Sequence, residues 1–177
     1  VWIRRQFENL LRKSAETRPV VVLTGPRQTG KTSLVRRLYP EHAYVSLDLP
    51  SEAAQAEGDP IAFLKRHGEA LVVDEVQYAP ALFRHLKRVV DESRDQVGRF
   101  VLTGSQPFHL MQGVSESLAG RADILHLNGL SYREIQDAAQ PLAIEAFVLR
   151  GGFPELHERP DLDAPGFYRS YVATYLE

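Results

Sequence analysis

The chain contains no cysteine. That excludes a disulfide framework, a thiolate nucleophile and any cysteine-ligated metal, and it is compatible with a reducing, cytoplasmic setting. Long hydrophobic runs are also missing. Nothing approaches the ~18–20 apolar residues that cross a bilayer, and the stretch 20–23 is only as long as a strand. No membrane partner is expected. The opening residues, Val1-Trp2-Ile3-Arg4-Arg5-Gln6, lack the apolar segment of a signal peptide. Charge of one sign is lacking too: 21 Lys+Arg stand against 23 Asp+Glu, a formal net charge of −2. No global basic field recruits nucleic acid, and only a local patch could. The six histidines (42, 67, 85, 109, 126 and 157) never pair at i,i+4, so no histidine-held metal is expected. His126 falls within a strand pattern and is expected to be a packing residue.

What is present is ordinary globular composition: 177 residues, 44% apolar and 25% charged. A chain of this length buries roughly 70% of its unfolded surface, enough for one core with a small appendage. It starts at Val and stops inside an amphipathic pattern (Phe167 to Glu177), which leads us to expect a longer protein with a further C-terminal region.

Apolar runs at 20–24, 43–48, 70–74, 99–103 and 123–127 read as strands. Several are apolar almost throughout, as strands covered on both faces are. Helical patterns occupy 3–17, 30–39, 60–67, 80–94 and 107–119. Beyond residue 130 only helices are expected, at 131–139, 142–150 and 164–177, broken by Gly151-Gly152-Phe153-Pro154. Alternating βα units predict an α/β fold: a parallel sheet with helices on both faces. We divide the chain into a core, 1–129, and a helical region, 130–177.

Gly25-Pro26-Arg27-Gln28-Thr29-Gly30-Lys31-Thr32 has the form G-x-x-x-x-G-K-[ST] between a predicted strand and a predicted helix. Glycines there let successive N–H groups turn inward around phosphate. The helix N-terminus, carrying Lys31, Thr32 and Ser33, adds its positive dipole end. Lys31 would reach the β/γ-phosphates and the Thr32 hydroxyl would bind Mg²⁺. Leu71-Val72-Val73-Asp74-Glu75 places two carboxylates at a strand end, where α/β sheets bind ligands. Asp74 would hold Mg²⁺, and Glu75 would polarise the attacking water. Glu directly after Asp marks an additional-strand (ASCE) P-loop ATPase rather than a kinase or GTPase. Thr103 or Ser105, at the end of the fourth strand, would hydrogen-bond that water or the transferred phosphoryl group. Gln77 is read either as a sensor of nucleotide state or as a loop cap. Arg4, Arg5, Arg12 and Lys13 read as a solvated helix face, and Tyr168, Tyr171 and Tyr175 as one packing stripe.

GPRQTGKT, LVVDEVQ, LTGSQ, the segment Ser115 to Arg121, and GGFPE at 151–155 together resemble the AAA+-related ATPases of prokaryotes. More narrowly, they resemble the AAA_14 domain that precedes a DUF4143 C-terminal region. The resemblance implies a five-stranded parallel sheet of order 5-1-4-3-2, a helical lid, ATP or ADP as ligand, and Mg²⁺. Ser105 stands where AAA+ proteins at large commonly carry Asn. In the implied arrangement Arg121 would reach a phosphate only in a neighbouring subunit, as an arginine finger in a homo-oligomer; the alternative is a helix cap. A protein or DNA partner would be engaged through the C-terminal region.

Overall fold

The computed structural model describes residues 2–105, 114, 116–138 and 141–175. The predicted helix 107–119 therefore lies largely outside the described residues. Contacts divide the chain into two compact units: Gln6–Asn128, and Gly129–Glu177 together with Val1–Arg5.

The first unit is built on five parallel strands: β1 (Val20–Thr24), β2 (Ala43–Ser46), β3 (Leu71–Asp74), β4 (Phe100–Gly104) and β5 (Ala122–His126). Their order is β2-β3-β4-β1-β5, which is the order 5-1-4-3-2 read from the other edge. Central β1, β3 and β4 are buried at every position, which explains their unbroken apolar runs. The edge strands β2 and β5 are only partly covered. His126 lies on the open part of β5 and is exposed, as is Ile124. The expected packing role is corrected: an edge strand alternates between a covered and an uncovered face.

Helices α1 (Glu8–Ala15), α2 (Lys31–Leu38), α3 (Pro50–Gly58), α4 (Pro60–His67) and α5 (Ala81–Glu92) belong to this unit. α3 had no counterpart in the sequence pattern. Its nine residues, PSEAAQAEG, bury only Ala56, so no apolar stripe announces it. Proline stands in its first turn, where the missing N–H costs nothing. A strong amphipathic pattern, by contrast, predicts α5, which buries Leu82, Phe83, Leu86 and Val90.

The second unit is helical, with α6 (Tyr132–Gln136), α7 (Ile144–Arg150), α8 (Pro154–Glu158) and α9 (Ala164–Tyr175). A capping box opens α6: the Ser131 hydroxyl accepts from Glu134 N–H, and Glu134 accepts from Ser131 N–H. The other Glu134 oxygen takes Arg5 Nε at 3.1 Å, and Arg5 also donates to the Gly129 carbonyl. Both side chains are about 5% exposed. Arg5 is thus not on a solvated face, as its neighbours in sequence suggested. It is one half of a buried ion pair, in which loss of one partner strands the other charge at a cost of roughly 3–5 kcal/mol. The tyrosine stripe packs as expected. Phe153 meets Phe167, Tyr168 and Tyr171, and Tyr168 donates to the Arg150 carbonyl.

Candidate active site at the strand ends

The loop 25–30 leaves the end of β1 and returns into α2. Gly25 has φ +144° and Gly30 φ +90°. A Cβ on Gly25 would lie 2.2 Å from the Leu127 carbonyl oxygen, so glycine is required both by conformation and by close approach. Gln28 is left-handed without being glycine, at φ +62°, a strain of ~1–3 kcal/mol. The anchoring strand outweighs it. Val20, Val21, Val22 and Leu23 are wholly buried, each stabilising by roughly 1.5–3 kcal/mol. Thr29 is buried and its hydroxyl donates to the Pro26 carbonyl, which tightens the loop. Arg27, Gln28 and Ser33 are exposed and Pro26 partly so.

Lys31 opens α2 and is 5% exposed. Its ammonium donates to the carbonyls of Gly25 (2.9 Å) and Pro26 (2.7 Å). Burial lowers its pKa from 10.5; Glu75 and Asp74 pull it back up and Arg27 adds to the lowering. The direct hydrogen bonds of Lys31 thus go to neutral carbonyls rather than to an anion.

Thr32 Oγ1 donates to Asp74 Oδ2 at 2.8 Å. The phosphate loop and the acidic strand end, 42 residues apart in sequence, are therefore in direct contact. Thr103 donates to the other oxygen, Asp74 Oδ1. Tyr44, on β2, also donates to Asp74 Oδ2, at 2.7 Å. Tyr44 was missed in the sequence: a tyrosine in a strand carries no motif, and only the pairing of β2 with β3 brings it here. Its hydroxyl is held protonated above the usual tyrosine range, first by burial and then by the Asp74 bond. Asp48 lies just after β2. Its carboxyl is raised by burial and by the charges of Glu75 and Asp74.

Glu75 follows β3 in the left-handed region, φ +56°. This turns the chain into the short 3-10 segment Val76–Tyr78. Its Oε2 accepts from Gln77 Nε2 (2.5 Å), Ser105 Oγ (2.8 Å) and Ser105 N–H (3.2 Å). The Glu75 N–H donates to Thr103 Oγ1. Gln77, left open between two roles by the sequence, is a partner of Glu75. Two buried oxygens near the site lack a partner among the described residues, Gln77 Oε1 and Thr24 Oγ1. Orphans of this kind cost about 1–3 kcal/mol and concentrate where function outweighs stability.

Lys31, Thr32, Asp74, Glu75, Thr103 and Ser105 thus form one connected site. Arg121 is elsewhere. Its Nε and one terminal nitrogen grip the two oxygens of Asp91, each at 2.8 Å, and its other terminal nitrogen donates to the Ala119 carbonyl. The Asp91 carboxyl is held down to about 2, first by Arg121 and then by Arg94. Among the described residues there is no group of three or more His, Asp or Glu side chains arranged to hold a metal alone, and no helix is long and apolar enough to cross a membrane. A hydroxyl beside a carboxylate does fit a hard divalent cation such as Mg²⁺, which keeps most of its waters and takes one or two protein oxygens. A separate cavity of about 300 Å³ lies in the helical unit, lined by Ile3, Ile135, Leu142 and Leu156. Of its polar side chains, Arg150 and His157 are bonded to backbone carbonyls, and Glu158 also lines it.

Comparison with known proteins agrees with this geometry. Over 177 residues the chain is 34% identical to the uncharacterized protein Rv2008c of Mycobacterium tuberculosis, an alignment covering 98% of this chain. The chain spans only 39% of that relative's length. Among solved structures, AMPPCP-bound DnaA from Aquifex aeolicus is similar with a TM-score of 0.55 and 15% identity, over 98% of this chain and 63% of that one. The Walker-type ATPase PabY2304 of Pyrococcus abyssi gives 0.53 and 17%, over 97% and 72%. At such identities these likenesses speak for the fold alone. The profile of the AAA_14 family, an AAA domain, matches residues 17–136. That span holds the whole sheet, the phosphate loop and both carboxylates, and the chain belongs to this family, with an AAA+ P-loop ATPase-like domain as its body.

Proposed function

We propose that this chain binds ATP and hydrolyses it to ADP and phosphate with Mg²⁺, and that the turnover drives a conformational change in a larger protein. The observation that carries the reading is the 2.8 Å bond between Thr32 and Asp74, which joins a phosphate loop to an acidic strand end. Lys31 exchanges its loop carbonyls for the β/γ-phosphates, and the N–H groups of 27–33 surround the phosphate chain. Thr32 and Asp74 would hold Mg²⁺, which supplies neutralisation of the charge that develops on the phosphoryl oxygens. Glu75 orients the attacking water and takes its proton. Ser105 bonds Glu75 and sets where its carboxylate points. Residues 130–177 are the region through which turnover reaches the rest of the protein.

A second reading has its own observation. All three donors to Glu75 meet at one oxygen, so in this conformation that oxygen of the base is taken up by protein donors. A nucleotide-gated protein- or DNA-binding module with negligible hydrolysis would look the same. Phosphate release by the full-length protein, with and without DNA, separates the two. Hydrolysis predicts Mg²⁺-dependent release that EDTA stops. ATP binding without release above the background of Glu75→Gln would establish the module instead.

Arg121 receives an anchoring role in this scheme, supported by its paired bonds to Asp91. Arg121→Ala is expected to lower the melting temperature modestly and leave turnover within about twofold, as for other exposed ion pairs. An arginine finger acting in trans predicts a loss of ~10³-fold or more. In that case, mixing full-length Arg121→Ala with full-length Lys31→Ala restores activity in shared oligomers.

A further inference from the structure

Asp74 accepts bonds from three hydroxyls, and one of these donors, Tyr44, belongs to none of the motifs legible in the sequence. A carboxylate offers about four acceptor positions. Thr32 and Tyr44 both donate to Oδ2, and Thr103 donates to Oδ1. Tyr44 reaches there because β2 runs parallel to β3, with Tyr44 paired to Val72, two residues before Asp74 and on the same face of the sheet. The tyrosine ring is itself held. The Arg36 guanidinium lies 4.9 Å from its centroid, within the range of a cation–π contact. Arg36 follows Thr32 by four residues on α2, so the two share one helix face. One helix therefore grips the same carboxylate oxygen twice: directly through Thr32, and indirectly through Arg36 and the Tyr44 hydroxyl.

We propose that Tyr44 is a positioning residue for the metal-site carboxylate: its hydroxyl, steadied by Arg36, holds Asp74 in the orientation that serves Thr32. This role acts through Asp74 and requires no contact of the tyrosine with nucleotide. The tyrosine restrains rotation of the carboxylate through its 2.7 Å bond to Oδ2. Partners of this kind, one bond removed from a metal, typically change metal affinity by 10–100-fold when deleted. The proposal rests on the reading of Asp74 as a metal-site residue, and its test separates the two.

The measurement is Mn²⁺ binding to the full-length protein with ADP, read by the electron paramagnetic resonance signal of free Mn²⁺, beside ADP binding in EDTA. Tyr44→Phe keeps the ring and its contact with Arg36 and removes only the hydroxyl. It is expected to weaken Mn²⁺ binding about tenfold while metal-free ADP affinity stays within about twofold of wild type. Arg36→Gln, an exposed substitution that serves if Tyr44→Phe fails to fold, moves Mn²⁺ binding in the same direction by a smaller factor. Asp74→Asn is the control. If it binds Mn²⁺ like wild type, the reading of the site falls and the role of Tyr44 with it. If Asp74→Asn weakens the metal and Tyr44→Phe does not, only the role of Tyr44 is overturned. Equal weakening with and without metal would make Tyr44 merely structural. Tighter Mn²⁺ binding would mean that its hydroxyl competes with metal-bound water, which reverses the proposal.

Discussion

Lys31→Ala is expected to raise the dissociation constant for ATP by roughly a hundredfold or more, since charge-assisted hydrogen bonds contribute roughly 1.5–3 kcal/mol each and the ammonium offers several donors. Alanine leaves the phosphates facing two backbone carbonyls that Lys31 now occupies, those of Gly25 and Pro26. Titration with a fluorescent ATP analogue measures the effect. Thermal melting gives an independent readout, because a ligand raises stability in proportion to RT ln(1 + [L]/Kd). At the same ATP concentration the melting temperature should rise clearly for the wild type and much less for the variant. The sign of the pH dependence follows from burial. Lys31 binds phosphate as the ammonium, and its pKa in the free protein lies below 10.5. Phosphate stabilises the charged form, so ATP affinity is full below the lowered pKa and declines as pH rises through it. An unchanged dissociation constant in Lys31→Ala would remove the phosphate loop from the mechanism.

Glu75→Gln should leave ATP bound and stop its hydrolysis. The amide has nearly the same shape, keeps a carbonyl oxygen for Gln77 and Ser105, and cannot take a proton at neutral pH. Loss of a positioned general base costs about 10²–10⁴-fold, so kcat falls by that factor while ATP affinity remains within about twofold. Asp74→Asn is expected to differ in kind. Asp74 is 4% exposed and meets three hydroxyls. Hydroxyls rotate and can accept as well as donate, so Asn is tolerated sterically while the metal loses its carboxylate. Single-turnover phosphate release across a Mg²⁺ titration separates the two variants: Asp74→Asn shifts the Mg²⁺ requirement, and Glu75→Gln lowers the plateau rate. Wild-type turnover in Glu75→Gln would reduce Glu75 to a turn residue. Its left-handed backbone and three-donor grip would then need another explanation.

Much of this protein was already determined by short-range pattern. Apolar runs specify the five strands. The three central ones are continuous because strands covered on both faces need apolar side chains throughout, and the two edge strands carry fewer apolar residues because one face is partly open. The structure shifts their boundaries by only a residue or two. Gly25, Gly30, Lys31 and Thr32 are legible because a phosphate loop needs its residue types at fixed offsets within one turn of chain. Asp74 and Glu75 are legible because a strand end is a local event. Tertiary structure alone decided which distant groups meet. Tyr44 reaches Asp74 only through the register of β2 on β3. Gln77 and Ser105 share one oxygen of Glu75 only because β4 lies beside β3 and Glu75 is left-handed. Arg5 pairs with Glu134 across 129 residues, and Arg121 with Asp91 across 30. A charged side chain carries no mark of its partner in the sequence. Its long, flexible stem is satisfied by whatever complementary group the packed backbone brings within about 3 Å, and that choice is made by the sheet order and the helix positions.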